Sequence, residues 1–264
     1  MVSPTDEQAH PMPVIFISHG APTLVFEPIA ARDFMIGLGA SLPRPTSILC
    51  VSAHWQTPLP TASTATRPET IHDFHGFPDE LYRLRYPAPG APALARRAQA
   101  LLAAAGIEGG LDDRRGLDHG AWNPLLLVYP EADIPVAQLS LIDGDPAAHV
   151  ALGRALAPLT EEGVLVLASG GAVHNLGQFR VDRSRPAEWA VGFDDWLAER
   201  IAAGDETALL GYRQRPDGRL AHPSDDHILP LFVALGAARG KPGRALHRSF
   251  AYGSLSMAAY GWLA

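Results

Sequence analysis

Cysteine is nearly absent from this chain of 264 residues: Cys50 stands alone, so no disulfide forms within the chain. Its place in the apolar run Ser47-Ile48-Leu49-Cys50-Val51 marks the thiol as core filling, which suits a reducing cytoplasm. Positive charge is also short. Against 28 Asp and Glu there are 21 Lys and Arg, a net charge of -7, which gives no electrostatic footprint for nucleic acid or an anionic membrane and points instead to a small, neutral or weakly charged substrate. No apolar stretch is long enough to span a bilayer, and the opening Met-Val-Ser-Pro-Thr-Asp-Glu-Gln lacks the basic start and apolar stretch of a signal peptide, so a cytoplasmic location is expected. There is no internal repeat, and the one biased segment, the Ala-rich stretch 93–105, simply favours helix.

What the chain does have is an ordinary apolar content of 47%, enough for a packed core. Short β-branched runs at Pro13 to Ile17, Ser47 to Val51, Ile134 to Leu141 and Val164 to Leu167, each bounded by Pro, Gly or Asp, read as buried central strands. Helical patterns alternate with them. One starts at the cap Asp145 with Pro146 and runs towards Leu159, a second spans about Pro92 to Ala105, and a third starts at Ser184-Arg185-Pro186. That third helix carries Trp189, Phe193, Trp196, Leu197 and Ile201 on one face before Gly204 closes it. The alternation predicts an α/β fold: a polar tail over 1–12, then a single domain over 13–264 with a largely parallel or mixed sheet covered by helices. The stretch 56–90, rich in Pro, Thr, His and aromatics without a period, reads as a long loop with short helical pieces, a length uncommon unless functional.

The histidines carry the chemistry. Ile15-Phe16-Ile17-Ser18 runs into His19, and Cys50-Val51-Ser52-Ala53 into His54, each where a strand stops. A third strand leads through Ala168-Ser169-Gly170-Gly171 to His174, the small residues letting backbone approach whatever fills the crevice. Ligands bind beyond the carboxyl ends of strands in open α/β sheets, so the active site is expected there. A single such histidine reads best as a hydrogen-bonded core or rim residue; three repetitions point to imidazoles converging on a metal. Further candidates are His119 in Gly116-Leu117-Asp118-His119-Gly120, and His222-Pro223-Ser224-Asp225-Asp226-His227, where Ser224 or Asp225 could cap a helix whose second turn includes Pro230. His72 and His75 could form another ligand pair, although their loop suits a pocket wall or lid better. His10, His149 and His247 read as a tail, a helix-surface and a strand residue with no role.

Taken in order, Ser18-His19-Gly20-Ala21-Pro22, Ser52-Ala53-His54-Trp55, His72-Asp73-Phe74-His75-Gly76-Phe77-Pro78, Gly116-Leu117-Asp118-His119-Gly120-Ala121-Trp122, Ser169-Gly170-Gly171-Ala172-Val173-His174-Asn175, His222-Pro223 and Asp226-His227 resemble the class III extradiol ring-cleavage dioxygenases, in their DOPA 4,5-dioxygenase-like branch. The resemblance runs almost end to end. It implies a catalytic α/β domain with non-haem Fe(II), a catechol substrate and O2. His19, His54 and His227 would be the metal ligands. His174 would be the acid/base that takes a catechol proton and later protonates a departing oxygen, or an additional ligand, and His119 would stabilise charge developing on oxygen. The wider class completes its iron site with a carboxylate where this chain has His227, and an all-histidine set also suits zinc, so the resemblance leaves Zn(II) in a purified sample beside Fe(II) in a working enzyme. Asp226, Asp225 and His222 are read as supporting partners of imidazoles, and Trp55, Phe74, His75, Phe77, Tyr82 and Trp122 as pocket walls. Two other functions remain open at this stage: a zinc hydrolase using metal-bound water, and a non-enzymatic metal or ligand binder on the same fold. The chain is expected to act as a monomer or homodimer.

Overall fold

The computed structural model describes residues 11–179 and 185–263. The expected strands are present as β1 (Val14–Ser18), β2 (Ser47–Thr57), β5 (Val136–Ile142) and β6 (Val164–Gly170). Shorter ones join them: β3 (Thr61–Ser63), β4 (Gly110–Asp112), β7 (Arg244–His247) and β10 (Ala259–Trp262), with β8 (Phe250–Ala251) and β9 (Leu255–Ser256) forming a separate small ladder. The main sheet has the order β4-β3-β5-β2-β6-β1-β10-β7. Its centre, β5-β2-β6-β1, is parallel, while β3 against β5, β10 against β1 and β7 against β10 are antiparallel. The sheet is therefore mixed, as expected for the α/β class.

Helices cover both faces because the strands are apolar on both. Val14, Phe16, Leu49, Val51, Val164 and Val166 enter one core, and Ile15, Ile17, Ile48, Cys50, Leu165 and Leu167 the other. The first core is closed by α3 (Pro92–Ala104), α5 (Pro146–Leu156), α6 (Glu188–Ala203) and α9 (Leu229–Ala237). The second is closed by α1 (Ala30–Ser41) and α4 (His119–Val128). Shorter helices α2 (Asp79–Arg83), α7 (Glu206–Leu210) and α8 (Pro216–Ala221) fill the connections. None of the helices among the described residues is long and apolar enough to cross a membrane.

Several boundaries differ from expectation for identifiable reasons. The helix from Asp145 tightens at Leu156 into a 3-10 turn over Ala157–Glu162, because Pro158 has no N–H for a helical bond. Ser184 lies outside the described residues, and α6 begins at Glu188. Pro230 sits in the first turn of α9, where its missing N–H costs nothing; Asp225 supplies its backbone carbonyl, not its side chain, to the N–H groups of Ile228 and Leu229. Met12, assigned to the tail, is buried and donates its N–H to the Thr160 carbonyl. His149 is buried rather than on the helix surface: its Nδ1 donates to the Asp145 carbonyl at 2.9 Å and its Nε2 accepts from Ile142 N–H at 3.4 Å, a satisfied neutral imidazole.

Helices α5 and α9 touch backbone to backbone. A Cβ on Gly153 would lie 2.0 Å from the Val233 carbonyl oxygen, and one on Gly236 would lie 2.1 Å from that of Val150. Neither neighbour can yield without moving a helix, so Gly153→Ala is expected to destabilise the fold by about 1–3 kcal/mol or more. A urea midpoint equal to wild type would show that the helices slide freely.

Candidate metal centre and active site

Five imidazoles meet at the carboxyl end of the parallel strands, each delivered by a different element. His19 follows the last residue of β1 and fixes its N–H on the Gly170 carbonyl. His54 reaches the same place differently from expectation. Strand β2 does not stop at Ala53; it runs on to Thr57, but pairing with β6 ends at Ser52 and pairing with β5 shifts register between Val51 and Gln56. The irregularity is seated by Ser52, whose hydroxyl donates to Asp118 at 2.6 Å while accepting the His54 N–H at 3.2 Å, and it turns His54 into the crevice. His119 is the first residue of α4, whose N-cap Asp118 accepts from Ala121 N–H.

The small residues after β6 also serve a purpose other than the expected one. A Cβ on Gly170 would lie 2.1 Å from the carbonyl oxygen of His227, and Gly171 N–H donates to that oxygen at 2.8 Å. The space is occupied by the chain's own backbone, which seats His227. His174 is anchored through its N–H on the Ala221 carbonyl and stacks on His227, with ring centroids 3.5 Å apart and planes at 4°.

Each imidazole's second nitrogen decides where its lone pair points. The Ser169 hydroxyl donates to the Gly120 carbonyl at 2.5 Å, so its oxygen accepts from His19 Nδ1 at 3.0 Å. Asp226 accepts from His227 Nδ1 at 2.7 Å. Asp73 lies 3.5 Å from His54 Nδ1. With Nδ1 of His19 and of His227 so committed, their Nε2 lone pairs are left for the centre of the cluster, and the Nε2 atoms of His19 and His54 lie 3.0 Å apart. Two lone pairs facing at that distance repel unless a proton or a metal cation lies between them. Ligand nitrogens on ~2.1 Å bonds meeting near 90–110° stand ~3.0–3.4 Å apart, so the donor set fits a divalent metal. One nitrogen from each of His19, His54 and His227 falls within 4.8 Å of the others.

A second group with the same spacing is His54, Asp73 and His119. There the carboxylate is already engaged: Asp73 Oδ2 accepts from His119 Nδ1 at 3.0 Å and Oδ1 from His119 N–H at 2.9 Å. Burial raises the Asp73 carboxyl, but the His119 bonds outweigh it and hold the group below the usual carboxylate range. The only local signal for Asp73 is an acid beside a histidine in a long loop, which sequence cannot connect to a helix start 46 residues on. Ser169 was missed in the same way.

Burial, reinforced by the neighbouring imidazoles, pushes His19 and His54 far below the ordinary histidine value and His174 down to about 3, so all three are neutral and able to donate a lone pair. Above the cluster lies a cavity of about 460 Å³ lined by the five histidines, Phe74, Phe77, Phe179, Tyr252, Leu176 and Leu255, with Gly20 to Thr23 on one side.

Four expected walls lie elsewhere. Trp122 is fully buried beneath the loop, its Nε1 donating to the Ile71 carbonyl at 2.8 Å, and backs Phe74 instead of facing the cavity. Trp55 points to the other side of β2 under the Arg115 guanidinium, 4.9 Å from its ring centre. His75 is exposed on the loop, and Tyr82 packs behind Phe74 at 5.3 Å. His72 and His75 make no ligand pair, since His72 Nε2 bonds the Leu84 carbonyl at 3.2 Å. Asp225 turns from the cluster to Tyr212 and Arg213, whereas Asp226 holds His227.

His222 is wholly buried between Phe193 and Tyr212, and its Nε2 donates to the Ala172 carbonyl at 2.9 Å, supporting the turn before His174. Burial lowers it to about 4. The unfolded chain protonates this residue near 6.5, so stability is full above that pH and is lost as the pH falls from 6.5 to 4. At pH 5 the loss from His222 is about 2 kcal/mol. Urea unfolding at pH 7 and 5 checks it, and His222→Gln showing the same acid loss as wild type would refute the assignment.

The family model described as the catalytic LigB subunit of aromatic ring-opening dioxygenase matches residues 14–262. A protein named 4,5-DOPA dioxygenase extradiol from Portulaca grandiflora is 43% identical over 254 residues, covering 93% of each chain. One of the same name from Escherichia coli K12 is 41% identical over 253 residues, again 93% of each. The crystal structure of an uncharacterized Escherichia coli K12 protein matches with a TM-score of 0.80 at 36% identity, covering 95% of this chain and 99% of that one.

Proposed function

The chain belongs to the LigB family of class III extradiol ring-cleavage dioxygenases, and from that premise we propose that it opens a DOPA-like catechol with O2 at a divalent metal held by His19, His54 and His227. The observation that supports this most directly is the convergence of nitrogens from His19, His54 and His227 at the floor of an aromatic cavity, with Nδ1 of His19 and of His227 held by Ser169 and Asp226. When bound, an Fe(II) there supplies the coordination positions and redox capacity that a catecholate and dioxygen need to react. Zinc fits the same all-histidine set and is the metal expected to accompany the protein through purification.

The chain's own residues supply the rest. His174, kept neutral by burial, accepts a proton from a catechol hydroxyl and returns it to the product side of the reaction. Its face-to-face contact with His227 holds it beside the ligand set. His119, held by Asp73 through Nδ1, borders the cavity and meets the substrate or oxygen through Nε2, which donates a hydrogen bond to developing negative charge when the ring carries its second proton. Phe74 and Phe77, packed edge to face at 5.3 Å, form an aromatic wall against which the ring rests and which excludes water. Of the functions left open by the sequence, ring cleavage is the one the relatives favour. Iron-reconstituted protein mixed with DOPA or catechol under argon and then given O2 should turn yellow as a ring-opened semialdehyde forms, with matching oxygen uptake. No colour with any catechol, together with ester hydrolysis by the zinc form, would replace this function with the hydrolase.

A further inference from the structure

The ion pair of Asp118 and Arg115 lies beneath the histidine cluster, outside the cavity. Asp118 is wholly buried, and four donors reach its two oxygens. Oδ1 accepts from the Ser52 hydroxyl at 2.6 Å and from Ala121 N–H at 3.3 Å; Oδ2 accepts from Arg115 Nη2 at 2.6 Å and from the Gln138 amide. A buried ion pair is a poor source of net stability, because desolvation offsets most of the attraction. This one also leaves Arg115 Nε and Gln138 Oε1 buried without a hydrogen-bond partner among the described residues, a further cost. What the pair does secure is position.

Both backbone polar groups of His54 hang on Asp118 through one intermediary each. Ser52 Oγ accepts the His54 N–H at 3.2 Å, and the Arg115 Nη2 that pairs with Asp118 also reaches the His54 carbonyl at 3.4 Å. The Arg115 guanidinium is in turn pinned over Trp55, the residue after His54. Between Ser52 and Gln56, β2 is in register with neither neighbouring strand, so these bonds stand in for the missing ladder. On its other side Asp118 caps the helix whose first residue is His119. Glycine at 120 lets that helix close on the strand: a Cβ there would run into Ser52 Oγ and lie 3.0 Å from His54 Cδ2. We infer that Asp118 is a positioning residue that sets His54 and His119 relative to each other. One buried carboxylate, touching neither metal nor substrate, thereby ties a metal ligand to the imidazole that meets the substrate or oxygen. The roles of the two histidines rest on the metal-centre reading above; their shared anchorage does not.

Asp118→Asn keeps the size of the side chain but turns an NH2 group towards donors whichever way the amide faces. Metal-free protein gives the first readout. In long-range 1H–15N spectra the ring signals of His54 and His119 should shift, while those of His149 and His222, buried elsewhere, stay at their wild-type positions. Chelator competition with Zn(II) gives the second: the affinity of the folded protein should fall about 10–100-fold. Ser52→Ala, which cuts only the branch to His54, should shift that ring more than His119 and lower the affinity about tenfold. Arg115→Gln should act likewise, and both variants serve if Asp118→Asn does not fold. Unshifted rings with an affinity within about threefold of wild type would overturn the inference. So would an affinity loss that only follows the unfolded fraction in urea, which would make Asp118 a stability residue alone. If the wild type binds no Zn(II) while the two ring signals still move together, the metal reading falls and the positioning role stands; stoichiometric wild-type binding with unmoved rings does the reverse.

Discussion

His19→Ala, His54→Ala and His227→Ala are each expected to abolish stoichiometric metal binding and, with it, turnover. The three imidazoles come from three separate elements, and those of His19 and His227 are anchored by Ser169 and Asp226. Two remaining imidazoles bind a divalent ion far more weakly than three pre-set ones, because the orientation enforced by the scaffold is itself a large part of the affinity. Removing an anchor should be milder: Asp226→Asn and Ser169→Ala are expected to weaken metal affinity about 10–100-fold without abolishing it. Elemental analysis of each purified variant, followed by chelator competition, measures both effects. The alternative group of His54, Asp73 and His119 makes a different forecast. If His19→Ala and His227→Ala retain full metal while Asp73→Ala and His119→Ala lose it, the ion sits in that neighbouring group.

The clustered histidines are legible in the sequence because strands announce themselves by short apolar runs, and a polar residue at the end of such a run has few places to point. His19 follows that logic without exception. His54 arrived at the expected place by an unexpected route, since the bulge that presents it depends on Ser52 bonding Asp118, a contact 66 residues apart in sequence. The partners of the imidazoles were harder to see for the same reason. Asp226 was visible as the immediate neighbour of His227, whereas Asp73 and Ser169 act across separations of 46 and 150 residues, which no local pattern encodes. The aromatic walls fared least well. Trp55, Trp122, Phe74 and Phe77 are equivalent as sequence, and only the turn of the loop over α4 decides that the phenylalanines face the cavity while Trp122 is locked below by its bond to Ile71. The antiparallel additions β3 and β7 are short and partly polar, and β10 has only four residues without a β-branched run, so they lack the signature of the central strands.

Substituting His174 separates the roles of acid/base and ligand. The three-histidine group is complete without it, and its ring lies parallel to that of His227 with centroids 3.5 Å apart. Loss of a general acid/base group typically costs 10²–10⁴-fold in turnover, and that is the fall in kcat expected for His174→Gln, with metal content unchanged. His174→Phe is the sharper variant. It preserves the stacked contact that helps seat His227 and removes both ring nitrogens, so any loss of turnover it causes comes from the missing proton acceptor and not from a displaced ligand. Substrate affinity under argon should change little in either variant, because a group that moves a proton in the reaction contributes mainly to kcat. Stoichiometric loss of metal from His174→Phe would instead make His174 a fourth ligand, and the proton would then have to leave through His119, the remaining imidazole of the cavity that lies outside the His19, His54 and His227 set.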